Sequence, residues 1–208
     1  MLMVLSREDT AIECNDHKIE EELKTLSLPF LETRSVWTID LALILARRGV
    51  SVKLYTSCDG MKDEYKDYDF YRDHYEDDLH RLPALFDEFY NLMMTKSQHS
   101  TTPITRCRLP LDALKSNLIT SIFIVLVDLN IIDCKNCSIK KTLPDLINTS
   151  FNGHFIILTS YELATDLFEF VDPASPHERC FTTSINLEKA RSSLGTDDDI
   201  LEILLHNN

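Results

Sequence analysis

Two residues that could act together in catalysis, His154 and Asp172, lie at the ends of two neighbouring apolar runs. The first run, 153–158, has the composition of a buried strand, and a second run, 167–171, follows after a short polar connection. Together the runs predict a β-hairpin. A turn centred on residues 163–165 would place His154 roughly opposite Asp172, where Cβ atoms are about 4.5–5.5 Å apart. The pattern therefore predicts an imidazole within reach of a carboxylate.

A histidine held by a carboxylate is suited to general-base chemistry, because the carboxylate fixes the tautomer and the orientation of the ring. Such a pair can activate a Ser or Cys nucleophile. The alternative is a strand-end histidine with a solvated ring, with Asp172 capping the turn at Pro173. On the spacing alone this second interpretation is the commoner one. His154 and Asp172 are the candidate catalytic residues, and the sequence assigns no cofactor-binding or metal-binding residue.

The six cysteines are scattered, and the one recognisable spacing is Cys134-Lys135-Asn136-Cys137. Without a secretory signal, the cysteines are expected to be free thiols rather than a disulfide framework. The pair could be half of a zinc site, although no second close pair supplies the other two ligands. It could also be a redox pair, or simply two thiols in a polar loop. The sequence leaves these three interpretations open.

Length and charge limit the class of protein. The 208 residues contain 44% hydrophobic residues and only 4 Gly, which predicts one domain over 1–208 without a flexible linker. A formal charge of −13 argues against nucleic acid or an anionic membrane as partner, since both would repel the chain. Residues 1–5 are apolar over too short a stretch for a signal peptide, and no run spans a bilayer. We therefore expect a cytoplasmic protein, with the nucleus as a further possible location.

The order of elements favours an α+β fold over a doubly wound sheet, because helices come first and strands cluster later. Ser35 is the expected N-cap of the first clear helix and Gly49 its stop. The tyrosine-rich stretch 59–78 is interpreted as the packing face of a helix, and 130–152 as an insertion loop. Helices are predicted at 36–48, 79–94 and 111–118, a helical turn or two at 187–193, and strands at 50–55, 104–108, 122–127, 153–158, 167–171 and 200–205.

Four blocks of the sequence carry a family resemblance: SVWTIDLA at 35–42, GHFIIL at 153–158, DPA at 172–174 and ARSSLGTDDDIL at 190–201. Together they resemble the guanylyl cyclase domain-containing protein family of plants and animals. They occur in the family's order, extend from about residue 30 to the C-terminus, and are specific as a set. The stretch Asp69-Phe70-Tyr71 also looks like the family's segment before its second helix.

This family is similar in turn to papain-like cysteine peptidases of the bacteriocin-processing type. In those enzymes a Cys at the head of a helix is served by a His that opens a strand and an Asp in an Asp-Pro turn. His154 and Asp172 match the second and third of these positions. The resemblance implies a papain-like α+β fold with N-terminal helices and a C-terminal antiparallel sheet, and a protein or peptide partner.

The nucleophile of that family pattern is absent. Family members carry an Asp-Cys-Gly-Leu-Ala-Cys-like block, preceded by a Gln, at the start of the first helix, and this chain has neither. Residues 1–5 look like the helix that would follow the block, so we expect a domain truncated at its N-terminus. Cys14 lies in a polar stretch beyond that helix, away from the helix N-terminus that would lower the pKa of a thiol. The expectation is a His–Asp pair without cysteine-hydrolase activity in this chain.

Two alternatives remain. The family's name implies conversion of GTP to cyclic GMP, which requires carboxylates that hold Mg²⁺ or Mn²⁺. Asp197, Asp198 and Asp199 could do so, but a turn before a strand explains them equally well, and the sequence has no Gly-rich phosphate loop. The other alternative is a non-catalytic protein-interaction module that keeps the fold. On these residues, the cyclase has less chemical support than the cysteine-hydrolase interpretation.

Overall fold

The computed structural model describes residues 36–96, 102–137 and 150–205. All elements below belong to the compact unit Trp37–Asn208. The predictions made for residues 1–5 and for Cys14 lie outside the described residues, as does most of the predicted insertion at 130–152.

Seven strands form one mixed sheet in the order β2-β1-β7-β3-β4-β5-β6. All neighbouring pairs are antiparallel except β1 and β2, which are parallel. The predicted α+β class is confirmed. The sheet is neither purely C-terminal nor purely antiparallel, because β1 lies in the first half of the chain and pairs with β2 in parallel. The strands are β1 Val52–Tyr55, β2 Ile104–Thr105, β3 Ser121–Asp128, β4 Gly153–Glu162, β5 Leu167–Val171, β6 Cys180–Thr183 and β7 Ile200–Leu204.

Five α-helices accompany the sheet in the described part of the chain. The predicted helices at 36–48, 79–94 and 111–118 are present with shifted ends, and the predicted turn at 187–193 is a helix that starts three residues earlier. The helices are α1 Thr38–Arg47, α2 Asp69–Arg72, α3 Tyr75–Lys96, α4 Leu111–Asn117 and α5 Ser184–Arg191, and a short 3₁₀ helix covers Asp63–Asp67.

Helix α1 begins at a different cap from the predicted Ser35. Its N-cap is Trp37, and the Asp40 carboxylate accepts the backbone N–H of Trp37 at 2.8 Å. A carboxylate in the first turn can satisfy a free N–H of the helix start without a Ser or Thr at the cap. Gly49 ends the helix as predicted, with φ +85° in the left-handed region.

The tyrosine-rich stretch does not form the single helix that its spacing suggested. Tyr65 lies in the 3₁₀ helix, Tyr71 in α2, and Tyr75 begins α3. All three side chains are nevertheless buried, so the predicted packing role is confirmed. Tyr71 stacks between Tyr65 and Trp37, with ring centroids 4.6 and 4.9 Å away. Aromatic stacking therefore joins three separate turns.

The centre of the sheet forms the core. Every residue of β3 is buried, which fits the uninterrupted apolar run that predicted this strand. Its neighbours β4 and β7 contribute further residues with little or no exposure, among them Ile156, Leu158 and Ile200. Within the described ranges, no helix is both long enough and apolar enough to cross a membrane.

Candidate active site

The hairpin of β4 and β5 brings the two candidate residues together, although in a different register from the predicted one. Ile157 pairs with Val171, so one further pair would place Asp172 opposite Ile156 rather than His154. On the turn side of the bulge between Leu158 and Ser160 the pairing differs from the predicted one by three residues, and the bulge reduces this difference to two. The predicted register is therefore wrong by two residues. Side chains alternate between the two faces of a sheet, so a shift of two residues leaves each side chain on its original face. His154 and Asp172 therefore still share one face, as diagonal neighbours.

His154 and Asp172 are in direct contact. The imidazole Nε2 lies 2.7 Å from Asp172 Oδ1, and the two side chains are 19% and 11% exposed. The backbone that follows holds the carboxylate in place, because Ala174 N–H donates to Asp172 Oδ1 at 2.9 Å. The Asp172 carbonyl also accepts the N–H of Ser175 at 3.0 Å. The Asp-Pro turn thus orients the carboxylate towards the imidazole.

This contact selects a tautomer of the ring. With Asp172 ionised, Nε2–H donates to the carboxylate, and Nδ1 carries the free lone pair. Among the described residues, Asp172 is the one polar side chain bonded to His154. The arrangement can therefore accept a proton at Nδ1 and stabilise the resulting imidazolium through Asp172.

Aromatic side chains pack against Gly153, the residue that precedes His154. A Cβ atom placed on Gly153 would come within 2.7 Å of Phe70 Cζ and 3.1 Å of Phe151 Cε1. Phe151 also lies against Gly195, where a Cβ would approach its ring to 2.7 Å. Phe151 and Tyr71 stack with ring centroids 5.8 Å apart. The absence of a side chain at Gly153 allows the aromatic rings to approach the strand next to His154.

The three consecutive aspartates do not converge on one point. Asp197 Oδ1 lies 2.5 Å from Lys62 Nζ and accepts the hydroxyl of Tyr65. Asp198 contacts Arg108 at 3.3 Å. Asp199 is buried, and burial raises the pKa of its carboxyl to about 8. In the part of the chain that the structure describes, no three carboxylates approach each other as metal ligands would.

Three cysteines do converge. The Sγ atoms of Cys134, Cys137 and Cys180 all lie within 4.8 Å of one another. Their side chains are buried, so the interpretation of two thiols in a polar loop is wrong. Sequence reasoning did not include Cys180 in a site. The signal that could have identified it is the spacing His177-Glu178-Arg179-Cys180, which repeats the spacing of the Cys134 and Cys137 pair.

Comparison with known proteins agrees with the resemblance of the sequence blocks. A family model described as "Guanylylate cyclase" matches residues 1–203. One relative, Guanylyl cyclase 1 of Arabidopsis thaliana, is 31% identical over 185 residues, which cover 84% of this chain and 62% of the relative. The chain thus spans less than two thirds of that relative's length. No solved structure matches the chain significantly.

An α+β domain with a histidine–carboxylate dyad on a β-hairpin is the class that the fold and the site define. The match over nearly the whole sequence then places the chain in a family, since it covers far more than half of the residues. The chain belongs to the guanylylate cyclase family.

Proposed function

We propose that His154 and Asp172 are the general base and the orienting carboxylate of a cysteine-hydrolase site on a papain-like fold. The observation that carries this proposal is the 2.7 Å contact between His154 Nε2 and Asp172 Oδ1. The contact lies at the end of the β4–β5 hairpin that is opposite the turn. In such a site Nδ1 removes the proton of a thiol, and the thiolate attacks an amide carbonyl. The imidazolium then returns the proton to the leaving amine.

For this chain alone we propose that the dyad supports no amide hydrolysis. Among the described residues, no cysteine is hydrogen-bonded to His154, and Cys134, Cys137 and Cys180 cluster with one another instead. A base without a nucleophile retains little of the rate enhancement of the complete site. The substrate class is a protein or peptide, and the expected location is the cytoplasm or the nucleus.

A thiol-reactive probe tests this proposal directly. The full chain is labelled with an electrophilic amide-mimicking probe, and modified cysteines are mapped by mass spectrometry in the natural protein and in His154→Ala. We expect labelling of the exposed Cys107 to be the same in both. The exposed His80 supplies a matched control through His80→Ala. Labelling of any cysteine that disappears in His154→Ala but not in His80→Ala would identify a nucleophile and overturn the inactivity of this chain.

Guanylate cyclase activity is the second candidate, and the name of the Arabidopsis relative, Guanylyl cyclase 1, favours it. In that reaction His154 would take the proton of the attacking ribose hydroxyl, and Mg²⁺ or Mn²⁺ would neutralise the phosphates. Asp197 and Asp198 pair with different cationic side chains and Asp199 is buried, which weighs against these residues as the metal ligands. We therefore place this reaction second.

The discriminating assay incubates the full chain with GTP and either Mg²⁺ or Mn²⁺ and measures cyclic GMP by mass spectrometry. We expect no product above heat-inactivated protein. Product that is lost in both His154→Ala and Asp172→Asn would support the cyclase and refute the hydrolase assignment of the dyad. A protein partner whose binding survives His154→Ala, with neither activity present, would favour the interaction module.

A further inference from the structure

The three clustered thiols join two parts of the chain that are distant in sequence. Cys134 and Cys137 follow β3, whereas Cys180 opens β6 at the edge of the sheet. The sulfurs of Cys137 and Cys180 are 3.2 Å apart, and both thiols are free. Sulfur ligands at about 2.3 Å from a tetrahedral zinc lie roughly 3.8 Å from one another. Since the three sulfurs already lie within 4.8 Å of one another, changes of about an ångström or less in their separations would let them share one ion.

Two backbone donors already point at one of these sulfurs. The N–H groups of Cys137 and Phe181 donate to Cys134 Sγ, at 3.3 and 3.4 Å. Donors of this kind stabilise a thiolate and fix its orientation, as partners of metal-bound sulfur do. A neutral thiol in an apolar core is only a weak acceptor and would not need two of them.

The same loop supplies a fourth donor atom of suitable chemistry. His177 lies three residues before Cys180, and its backbone N–H donates to Ser175 Oγ at 3.1 Å. Its side chain is exposed, on the loop that leads into Cys180. Its ring nitrogens do not lie within 4.8 Å of all three sulfurs, so binding requires the loop to bring the imidazole closer. Three cysteines and one histidine are a closed, tetrahedral ligand set that zinc commonly adopts.

We propose that Cys134, Cys137, Cys180 and His177 form a structural zinc site. On binding, the three thiols lose their protons to solvent and bind as thiolates, and the imidazole binds in its neutral form. The four protein ligands leave no open position for substrate, so the ion has a structural role. This site does not depend on His154 acting as a base.

Zinc at this position would connect the segment after β3 to the β5–β6 connection. Lys135 N–H already donates to the Phe181 carbonyl at 2.8 Å, so the two segments run side by side. The β5–β6 connection begins at Asp172 and leads into Cys180, the first residue of β6. The ion would therefore fix one end of this connection, whose other end is Asp172, the partner of His154.

Metal content of the full chain, purified under reducing conditions without added chelator, tests the site. We expect stoichiometric zinc in the natural protein and in the controls Cys58→Ser and Cys107→Ser, whose thiols lie outside the cluster. Cys134→Ser and Cys180→Ser should lose the metal. Absence of zinc from the natural protein after incubation with zinc, or its retention in both of these variants, would refute the site.

The histidine ligand has its own test. Competition with a chromogenic chelator measures zinc affinity in His177→Gln against the exposed control His80→Gln. We expect a loss of more than about 100-fold in His177→Gln, since even outer partners of metal ligands contribute roughly 10–100-fold. An unchanged affinity in His177→Gln would overturn the four-ligand site.

Because a cysteine variant can fail to fold, a measurement on the natural protein accompanies the variants. Cysteine alkylation is followed by mass spectrometry with zinc bound and after chelation. We expect Cys134, Cys137 and Cys180 to become more reactive on chelation, while Cys107 reacts equally in both states. Equal protection in both states, or loss of two hydrogens that marks a Cys137–Cys180 disulfide in the purified protein, would contradict the proposal.

Discussion

The carboxylate of Asp172 meets the imidazole of His154 across two strands that do not pair these residues in the ladder. The Nε2 to Oδ1 distance is 2.7 Å, whereas the register extended from Ile157 and Val171 would place Asp172 opposite Ile156. The long imidazole reaches diagonally to the carboxylate on the same face. The dyad thus depends on the Asp-Pro turn that directs Asp172 back towards β4.

The first prediction concerns the tautomer of His154. With Asp172 accepting from Nε2, a neutral His154 should carry its proton on Nε2, and nitrogen NMR of labelled histidine should show that form in excess. The exposed His80 should show a mixture of the two tautomers. Asp172→Ala should shift His154 towards that mixture. An Nδ1-protonated His154 in the natural protein would rule out the proposed base.

The second prediction concerns the approach of Phe70 to Gly153. Gly153→Ala would bring a methyl group to 2.7 Å from Phe70 Cζ, so we expect a loss of stability. The loss should be about 1–3 kcal/mol, as for other overpacked sites, measured by urea unfolding. Gly60→Ala is the control, because a Cβ there meets nothing within 4 Å. Adding Phe70→Leu should recover part of the loss, and equal stabilities of the two Gly variants would refute the contact.

The third prediction concerns Arg81, which lies between two buried carboxylates. Its guanidinium contacts Asp40 at 2.6 Å and Asp78 at 2.8 Å, and these carboxylates also bind the backbone N–H and the indole N–H of Trp37. Removing one member of a buried ionic network typically costs about 3–5 kcal/mol. Arg81→Met should therefore lower the free energy of unfolding by about that amount.

The matched control for this prediction is the exposed ion pair of Arg47 and Glu88, which joins the same two helices at 2.6 Å. Arg47→Met should cost less than about 1 kcal/mol, because solvent screens an exposed pair. A similar effect of both substitutions would mean that the buried network is not what stabilises the packing of α1 on α3.

The fourth prediction concerns the pH dependence of stability at Asp199. Burial raises the pKa of its carboxyl to about 8, whereas in the unfolded chain it ionises near pH 4. The folded form therefore holds a proton that the unfolded form has lost. The contribution of Asp199 to stability is complete below about pH 4 and declines as pH rises to about 8, by up to about 1.4 kcal/mol per unit.

Asp199→Asn should remove this decline, because the amide does not titrate. The free energy of unfolding, measured in urea at several pH values between 5 and 8, should fall less steeply in Asp199→Asn than in the natural protein. Asp87→Asn, at an exposed position of α3, should leave the slope unchanged. Parallel slopes in all three proteins would show that Asp199 is ionised when folded.

The sequence by itself determined the local elements and the family. The apolar run of β3, the hairpin of β4 and β5, and the stop of α1 at Gly49 all follow from periodicity and backbone preference within short stretches. The four sequence blocks indicated the family that the comparison then showed. These features depend on residues that are close together in the chain.

Only the tertiary structure decided which distant residues meet. The position of the turn and the bulge in β4 together set the register of His154 against Asp172. The adjacency of β6 to the segment after β3 brought Cys180 to Cys134 and Cys137. The same structure gave Asp197 and Asp198 different cationic partners and buried Asp199. Periodicity in the sequence determines on which face of a strand a side chain lies. Contacts between distant segments depend instead on strand order, register and burial, and no local sequence pattern encodes these.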